Sequence, residues 1–447
     1  MPTGEISFHV LDVGQGACNY VEIRDTTGAV THNMLIDLGT NSQFAIATAN
    51  VQWLIGKIEA NNNYLDLLLL THGDTDHYNL VSRLLPAFGE PDHDKIGLVR
   101  YGGPRWRYGR GALITTLTAY TADIGGFAPC QSSFDPNTEA WAPIWPAVPV
   151  DGEPRLQLIL ADTPHPHDPS SMYETPRRTM NAEAINSKSV VTALQWDDYW
   201  ILATGDATST TLAAINEHFE LAHTDDYPTT FMLTLPHHGS RKTTYDLKRA
   251  NDLPDFDARW AVSDFLDLFK PITISISAGE KRHHHPSLYM IRQFADALTN
   301  DGSFWDDPVL NDGDHFLTSW IDIDVTPGFI EPAWPPKWQY ATTKTKKNIY
   351  GTFYFKADQY NSAAYPQFIA PPLPSMPASQ KERVVGVPRG RNYEFILSGA
   401  AAVSVRSSEN GARNAVAEGA VRRSVPARPK GAFTISGRAQ RSTTGGW

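Results

Sequence analysis

The chain has 447 residues, of which 41% are hydrophobic and 19% charged. That excludes a wholly disordered chain and is enough for one large core or two modest ones. With 38 Lys and Arg against 49 Asp and Glu the formal charge is −11, so the protein as a unit has no footprint of a non-specific nucleic-acid binder. The sum hides a division, because residues 381–447 hold 12 basic and 4 acidic side chains and leave 26 against 45 in residues 1–380. Two cysteines, Cys18 and Cys130, frame neither a disulfide scaffold nor a thiolate metal site. The N-terminus has no charged region leading into an apolar one, and apolar runs such as Leu67–Leu70 fall far short of the ~20 residues that span a bilayer. A soluble, cytoplasmic protein without a transmembrane segment is expected.

In chain order, alternating patterns predict strands at Ile6–Val13, Cys18–Arg24 and His32–Asp37, separated by GQG and DTTG turns. A helix-compatible stretch, Phe44–Ile58, leads to the apolar run Leu65–Leu70, which reads as a buried strand. Further strands are expected at Leu156–Ala161, Ser189–Trp196, Trp200–Ala203, Phe231–Leu235 and Ile272–Ser277, with helices at Thr210–Phe219 and Ser287–Leu298. Residues 100–185 form a less regular insert, holding YGGPRWRYGRG, the Pro- and Trp-rich WAPIWPAVPV and the loop DTPHPHDPSSMYETPRR. Residues 301–358 have a β-like texture and close on a strand, Ile349–Phe355. The expected organisation is one domain over residues 1–360, a Pro/Ser-rich linker over 361–392, and a basic C-terminal tail or small appendage over 393–447 with strand-like runs Phe395–Ser398 and Ala432–Ser436.

The densest chemical feature is THGDTDH at 71–77, directly after the buried strand. His72, Asp74, Asp76 and His77 put imidazole and carboxylate donors at a strand end, where α/β proteins build their sites. Such a donor set suits Zn²⁺ or Mn²⁺. An acidic surface turn is the plain alternative, and it loses ground because the design recurs. Ala203-Thr204-Gly205-Asp206 follows an apolar strand, Leu235-Pro236-His237-His238-Gly239-Ser240 follows another, and His283-His284-His285-Pro286 follows a third. Asp206 taken alone is equally a candidate helix N-cap.

This ordered series resembles the metallo-β-lactamase fold superfamily, and more narrowly the branch exemplified by the C-terminal domain of the competence protein ComEC. LDVGQGACNYVEI resembles that branch's opening strands, MLIDLGT its second motif and THGDTDH its metal motif. NSKSVVTALQWDDYWILATGDA resembles the segment that ends in GDA, LPHHGS and SAGEKRHHHPS the closing HHGS and GHP segments, and Lys344–Phe355 the final hairpin. The likeness implies an α/β fold, an αββα sandwich, here with an insert and a Pro-linked basic C-terminal tail.

It also implies roles. His72 and Asp74 match ligands of a first divalent ion, Asp76 and His77 ligands of a second, and Asp206 the bridging carboxylate. One histidine of the HHGS segment, taken as His237 rather than His238, matches a further second-site ligand. Two divalent ions, Zn²⁺ or Mn²⁺ with Mg²⁺ also admissible, would stand ~3.5–4 Å apart and generate hydroxide. The sequence departs from the superfamily at Asn186, which stands where a histidine is usual and, with Ser189, agrees with the branch instead. Asn is a poor replacement, so a weaker and harder first site is expected. His165 and His167 are either substitute nitrogen donors or surface-loop residues. Asn79 either repositions the loop backbone or contacts substrate, and His285 matches the GHP histidine.

Two divalent ions suit a phosphodiester, whose transition state spreads charge over oxygens, and the family resemblance points the same way, towards DNA. On that reading Asp74 or Asp206 orients water, and His285 and Ser240 hold or protonate the departing oxygen. Lys242, His238, Asn186 and Ser189 lie near substrate, while Arg105 and Arg107, interleaved with Trp106 and Tyr108, form either a stacking platform for a polyanion or a packed lid in which Trp106 is core. The basic tail would add a phosphate contact or a protein partner. Two other classes stay open: a metallohydrolase acting on a small ester, lactone or phosphodiester, and a binding module with a vestigial site. Clustered carboxylates are costly to keep without a cation, which argues against the last.

Overall fold

The computed structural model describes residues 3–41, 44–121, 126–130, 134–135, 140–163, 182–197, 199–221, 229–247, 254–271 and 273–277, then Met290 and the short segments 315–317, 325–330, 338–340, 354–355, 391–398, 402–409 and 421–424. Strands β1 (Thr3–Val10), β2 (Cys18–Asp25), β3 (Val30–Leu38), β4 (Leu65–Leu70), β5 (Ile96–Tyr101) and β6 (Phe127–Pro129) form the body of the first sheet. The second is built from β7 (Phe134–Asp135), β8 (Ala140–Trp145), β9 (Arg155–Leu160), β10 (Val191–Trp196), β11 (Tyr199–Ala203), β12 (Thr229–Thr234), β13 (Thr273–Ile276) and β14 (His315–Leu317). A separate pair, β15 (Val325–Ile330) and β16 (Trp338–Tyr340), precedes β17 (Tyr354–Phe355), which closes the second sheet beside β14. Finally β18 (Arg391–Ser398), β19 (Ala402–Glu409) and β20 (Val421–Ser424) extend the first sheet from its β1 edge.

Alternation along the strands decides which layer each residue enters. Ile6, Phe8 and Val10, with Val21, Ile23, Met34, Ile36, Leu67 and Leu69, face Leu156, Leu158, Leu194, Ile201 and Ala203 of the other sheet, and these form the core between the sheets. The opposite faces are covered by helices. Leu35, Leu38, Leu65, Leu68 and Leu70 pack on Val51, Leu54 and Ile58 of α1 (Phe44–Ala60), with α2 (Thr75–Tyr78), α3 (Leu85–Phe88) and α4 (Ala112–Thr118) completing that layer. On the other side, beyond the short α5 (Ala182–Asn186), Val191, Trp200 and Leu202 pack on α6 (Ser209–Leu221) and on α8 (Phe256–Phe269), which follows the single turn α7 (Arg241–Thr244). Leu67–Leu70 is apolar throughout because that part of β4 is covered on both faces. The result is the expected αββα sandwich.

Several expected elements lie where the sequence pattern put them, including β2, β4, β10 and α1. The structure adds α8, capped by Asp255 accepting from the Ala258 amide at 2.8 Å, and places β5, α4 and β6 to β8 along the irregular insert. The helix expected at Ser287–Leu298, apart from Met290, the run Ala432–Ser436 and nearly all of the linker lie outside the described residues.

One buried charge on the outer face of the first sheet fixes an acid limit. Glu22 is 2% exposed and accepts from Lys57 Nζ at 2.9 and 3.0 Å, with Arg24 also paired to it and His9 Nε2 at 3.9 Å. Burial pushes its carboxyl up, but the hydrogen bonds and charges of His9 and Lys57 overcome that and hold it at about 2 against an ordinary 4.5. A carboxylate depressed on folding stabilises fully above its unfolded value, and the gain is lost as pH falls through the window from 4.5 to about 2. Lys57→Met should therefore cost about 2 kcal/mol at neutral pH. Urea melts of both proteins at pH 7 and near pH 3 should show that difference shrinking.

Candidate metal centre

The candidate ligands all follow strands. β3, β4 and β5 run parallel in one sheet and β11, β12 and β13 parallel in the other, so their carboxyl ends gather loops at one rim of the sandwich. There β4 delivers Thr71–His77, β11 delivers Asp206 and β12 delivers His237 and His238. Because α6 begins only at Ser209, Asp206 is left to face the cluster.

Asp206 is the hub. Its Oδ2 lies 3.2 Å from His72 Nε2 and 2.5 Å from His237 Nδ1, while Oδ1 lies 3.0 Å from His77 Nε2 and 3.7 Å from His238 Nε2. Farther out, His238 Nε2 is 3.6 Å from Asp76 Oδ2. Two overlapping triads result, His72 with His77 and Asp206, and Asp76 with His77 and His238, each with ligand atoms mutually within 4.8 Å. His72, His77, Asp76, Asp206 and His238 are all buried.

The nitrogens that face away from the hub are held. His77 Nδ1 is 2.7 Å from Asp37 Oδ2, and His238 Nδ1 is 2.7 Å from the Ser277 carbonyl, so each Nδ1–H donates outward and each Nε2 points inward. Asp37 also accepts from the Thr71 amide at 2.7 Å and the Thr71 hydroxyl at 2.6 Å, fixing the start of the ligand loop. Inward, His72 Nε2, His77 Nε2, His238 Nε2 and both oxygens of Asp206 are buried without any hydrogen bond. Leaving such atoms unsatisfied costs ~1–3 kcal/mol apiece, and one kind of partner suits them all. The converging imidazoles and carboxylates fit a divalent cation such as Zn²⁺ or Mn²⁺.

Charges in the cluster are strongly coupled. Burial opposes ionisation, yet Asp206 and Asp37 hold the His77 imidazolium well above the usual histidine range. Asp206 and Asp76 likewise raise His238 against burial. In return His237, His77 and His72 keep Asp206 well below the carboxylate range, again against burial, and His238 and His77 do so for Asp76.

Two backbone features set this geometry. His237 and His238 both occupy the left-handed region, at φ 44° and 53°, which non-glycine residues rarely adopt. The His237 amide donates to the Gly205 carbonyl at 3.0 Å and the Ser240 amide to the His237 carbonyl at 2.8 Å, so the turn is pinned. It sends the two rings to opposite oxygens of Asp206. At Gly39 an added Cβ would stand 2.4 Å from the Asp76 carbonyl carbon, so only glycine lets the end of β3 press on the ligand loop. Asn79 clamps Thr40, accepting from its amide at 2.9 Å and donating to its carbonyl at 2.7 Å, a role in positioning the loop backbone.

The structure thus brings His72, Asp76, His77 and Asp206 together, with His237 and His238 on either side. It is His238, rather than His237, that faces the Asp76–His77 pair. Asp74 stands apart, its Oδ1 2.7 Å from Arg107 Nη2. Asn186 lies 3.2 Å from His237 Nδ1, and Ser189 Oγ accepts from the Asp206 amide at 3.2 Å. Ser240 caps α7 through the Thr243 amide at 3.3 Å. Lys242 is exposed on α7, and Arg105 is exposed and donates to Thr115 Oγ1 at 3.1 Å. His285, with His165 and His167, lies outside the described residues. Residues that sequence reasoning did not single out are Asp37, Thr71, Ser277 and Asn41, whose Nδ2 donates to Asp76 Oδ2 at 2.7 Å. Asp37, Thr71 and Ser277 lie within the quoted MLIDLGT, THGDTDH and SAGEKRHHHPS segments, whereas Asn41 had no signal.

A family model described as "Metallo-beta-lactamase superfamily" matches residues 13–179, and no curated protein matches the chain. Similar solved structures include CmlA beta-hydroxylase, at 12% identity and a TM-score of 0.36 over 68% of this chain and 52% of that one. A long form RNase Z from yeast stands at 10% and 0.34 over 64% and 39%, and unliganded yeast PDE1 at 8% and 0.38 over 67% and 93%. The chain spans about half the length of the CmlA enzyme. Over the matched segment the chain is similar to that superfamily, and the two-sheet sandwich with the ligand cluster at its rim is consistent with a metallo-β-lactamase fold.

Proposed function

We propose that this chain is a metal-dependent hydrolase that cleaves phosphodiesters, with DNA as the first substrate to test, as the ComEC-like motifs imply. One observation carries the reading: buried ligand atoms that make no hydrogen bond converge from His72, His77, His238 and both oxygens of Asp206. Because the two oxygens of Asp206 face different histidines, the centre suits two ions with Asp206 between them. A bound divalent cation lowers the pKa of water and draws charge from a phosphoryl oxygen. Asp206 and Asp76 would orient the attacking water. His237, the most open of the ring at 15% side-chain exposure, is placed to move a proton at the departing oxygen, a task shared on this reading with His285.

The test is an assay of the full chain on single-stranded DNA, double-stranded DNA, RNA and bis-(p-nitrophenyl) phosphate with Zn²⁺, Mn²⁺ or Mg²⁺. Cation-dependent cleavage is expected, reduced at least ~100-fold by His72→Ala and by Asp76→Ala. Undiminished activity in both folded variants overturns the reading. The second reading, a small-molecule ester or lactone hydrolase, is favoured by the acidic excess of residues 1–380, 45 acidic against 26 basic side chains, which repels a polyanion. Cleavage of the small ester with no polymer cut would select it.

A further inference from the structure

Within THGDTDH, Asp74 is the one candidate ligand whose carboxylate is taken by a guanidinium rather than facing Asp206. Its partner Arg107 belongs to the insert and is firmly placed. Tyr78 Oη donates to the Arg107 carbonyl at 3.0 Å and accepts from the Gly109 amide at 3.0 Å, so a single hydroxyl latches the insert to α2, which carries Asp76 and His77. The stem of Arg107 lies against Gly73, where an added Cβ would meet Arg107 Cβ at 2.4 Å. Its head group stands 5.4 Å from the Trp106 ring centre.

Within that head group, Nε and Nη2 share one edge and form the fork that binds carboxylate or phosphate through both prongs. Here Nη2 contacts Asp74 at 2.7 Å, while Nε is buried and makes no hydrogen bond. A two-pronged donor is half used, beside a carboxylate that sits two residues from His72 and from Asp76.

We infer that Arg107 is an exchangeable counter-cation for Asp74: Asp74 gives up Arg107 when it takes a divalent ion at the His72 side of the cluster, and the released Arg107 fork then holds an oxyanion of the substrate. The first half concerns metal binding alone; the second rests on the phosphodiesterase reading and assigns Arg107 as its phosphate-positioning residue. The ion on the His72 side is accordingly the weaker of the two, and its binding and that of an anion reinforce each other, because each favours the unpaired state of Arg107.

Mn²⁺ titration of the full chain, followed by electron paramagnetic resonance and calorimetry, tests this without any substrate. Wild type should show a tight and a weak class of ion. Arg107→Gln, which keeps the Cβ and Cγ that rest on Gly73, should tighten the weak class by at least roughly threefold. In an Asp74→Asn background, where no carboxylate is contested, the same change should shift binding by less than about twofold. Inorganic phosphate binding to the Mn²⁺-loaded protein should weaken roughly tenfold in Arg107→Gln. An unchanged isotherm in Arg107→Gln, or an equal shift in both backgrounds, overturns the exchange. Thermal melts establish that each variant is folded. Should Arg107→Gln melt, Arg107→Lys, which keeps the charge but lacks the fork, is expected to lose phosphate binding similarly, and retained binding there overturns the anion role. Failure of the hydrolase reading would look different, as absent cleavage by wild type with the Mn²⁺ isotherms as described.

Discussion

Asp206→Asn should abolish divalent-cation binding on both sides of the cluster at once and lower phosphodiester hydrolysis by roughly 10³-fold or more. The size of the effect follows from position. One oxygen serves the side of His72 and His237 and the other the side of His77 and His238, whereas His72→Ala or His238→Ala removes a donor from a single side. Asn supplies one neutral oxygen, and its amide group would turn N–H donors towards imidazoles whose inward nitrogens should accept. Calorimetry with Mn²⁺ checks this, and the same titration reads the protons. Asp206 and Asp37 keep His77 charged at pH values where a histidine is ordinarily neutral, as Asp206 and Asp76 do for His238. A cation must expel those protons, so apparent affinity in wild type should rise with pH, and binding should release protons detectable by comparing buffers of different ionisation enthalpy. A wild-type isotherm indifferent to pH, or an Asp206→Asn protein that still binds Mn²⁺ as wild type does, is the contrary result.

Much of this centre was legible in the sequence because its donors are adjacent in the chain. THGDTDH packs four candidate ligands into one loop after an obvious buried strand, and GDA and HHGS repeat the same strand-then-ligand signal. What pattern could not decide was direction. Whether His237 or His238 meets Asp76 depends on two consecutive left-handed residues, a conformation stabilised by the Gly205 carbonyl from another strand and invisible to periodicity. Asp74 illustrates the same limit from the other side, since its spacing is that of a ligand and its partner is fixed by a turn of the insert 33 positions away. Asn41 gave no signal, because a side chain that buttresses a ligand needs only one hydrogen bond and carries no motif. The fold divides similarly: alternation fixed which faces of β1 to β4 are apolar, while α8, although amphipathic and capped, lies in a stretch whose helical pattern was passed over. The C-terminal residues read as a basic appendage because their charge dominates their composition, yet the short run Phe395–Ser398 was the informative part.

Truncation after residue 390 should unfold the protein, whereas truncation after residue 424, which keeps every described strand, should leave it folded. β18 pairs with β1 from Glu5↔Ser398 to Val10↔Tyr393, so its loss uncovers a long sheet edge. Phe395, Ile396 and Leu397 are 0%, 3% and 1% exposed, and Phe395 lies 6.1 Å from the Phe231 ring across the sandwich. At about 1.5–3 kcal/mol for each buried side chain, their removal is comparable to the ~5–15 kcal/mol that holds a typical domain together. The strand is also linked to the candidate metal centre through residues 12–16. Asn392 Oδ1 accepts from the Asp12 amide at 2.9 Å and from Asn50 Nδ2 at 3.1 Å, and its Nδ2 donates to Asn50 Oδ1 at 2.7 Å. Asp12 in turn accepts from the Gly14 amide at 2.8 Å, and Gly16 accepts from the hydroxyl of Ser277, the residue whose carbonyl orients His238. Asn392→Ala leaves β18 in place but removes its hydrogen bonds with the Asp12 amide and with Asn50, at a cost of about 2–3 kcal/mol, and should loosen residues 12–16 and with them the hold on His238. Circular dichroism melts rank the four proteins, and equal melting temperatures for wild type and the 1–390 fragment would make the C-terminal strands dispensable. Mn²⁺ affinity of folded Asn392→Ala then separates the two roles: a protein that melts lower but binds Mn²⁺ as wild type does confines β18 to stability, while weakened binding extends its reach to His238.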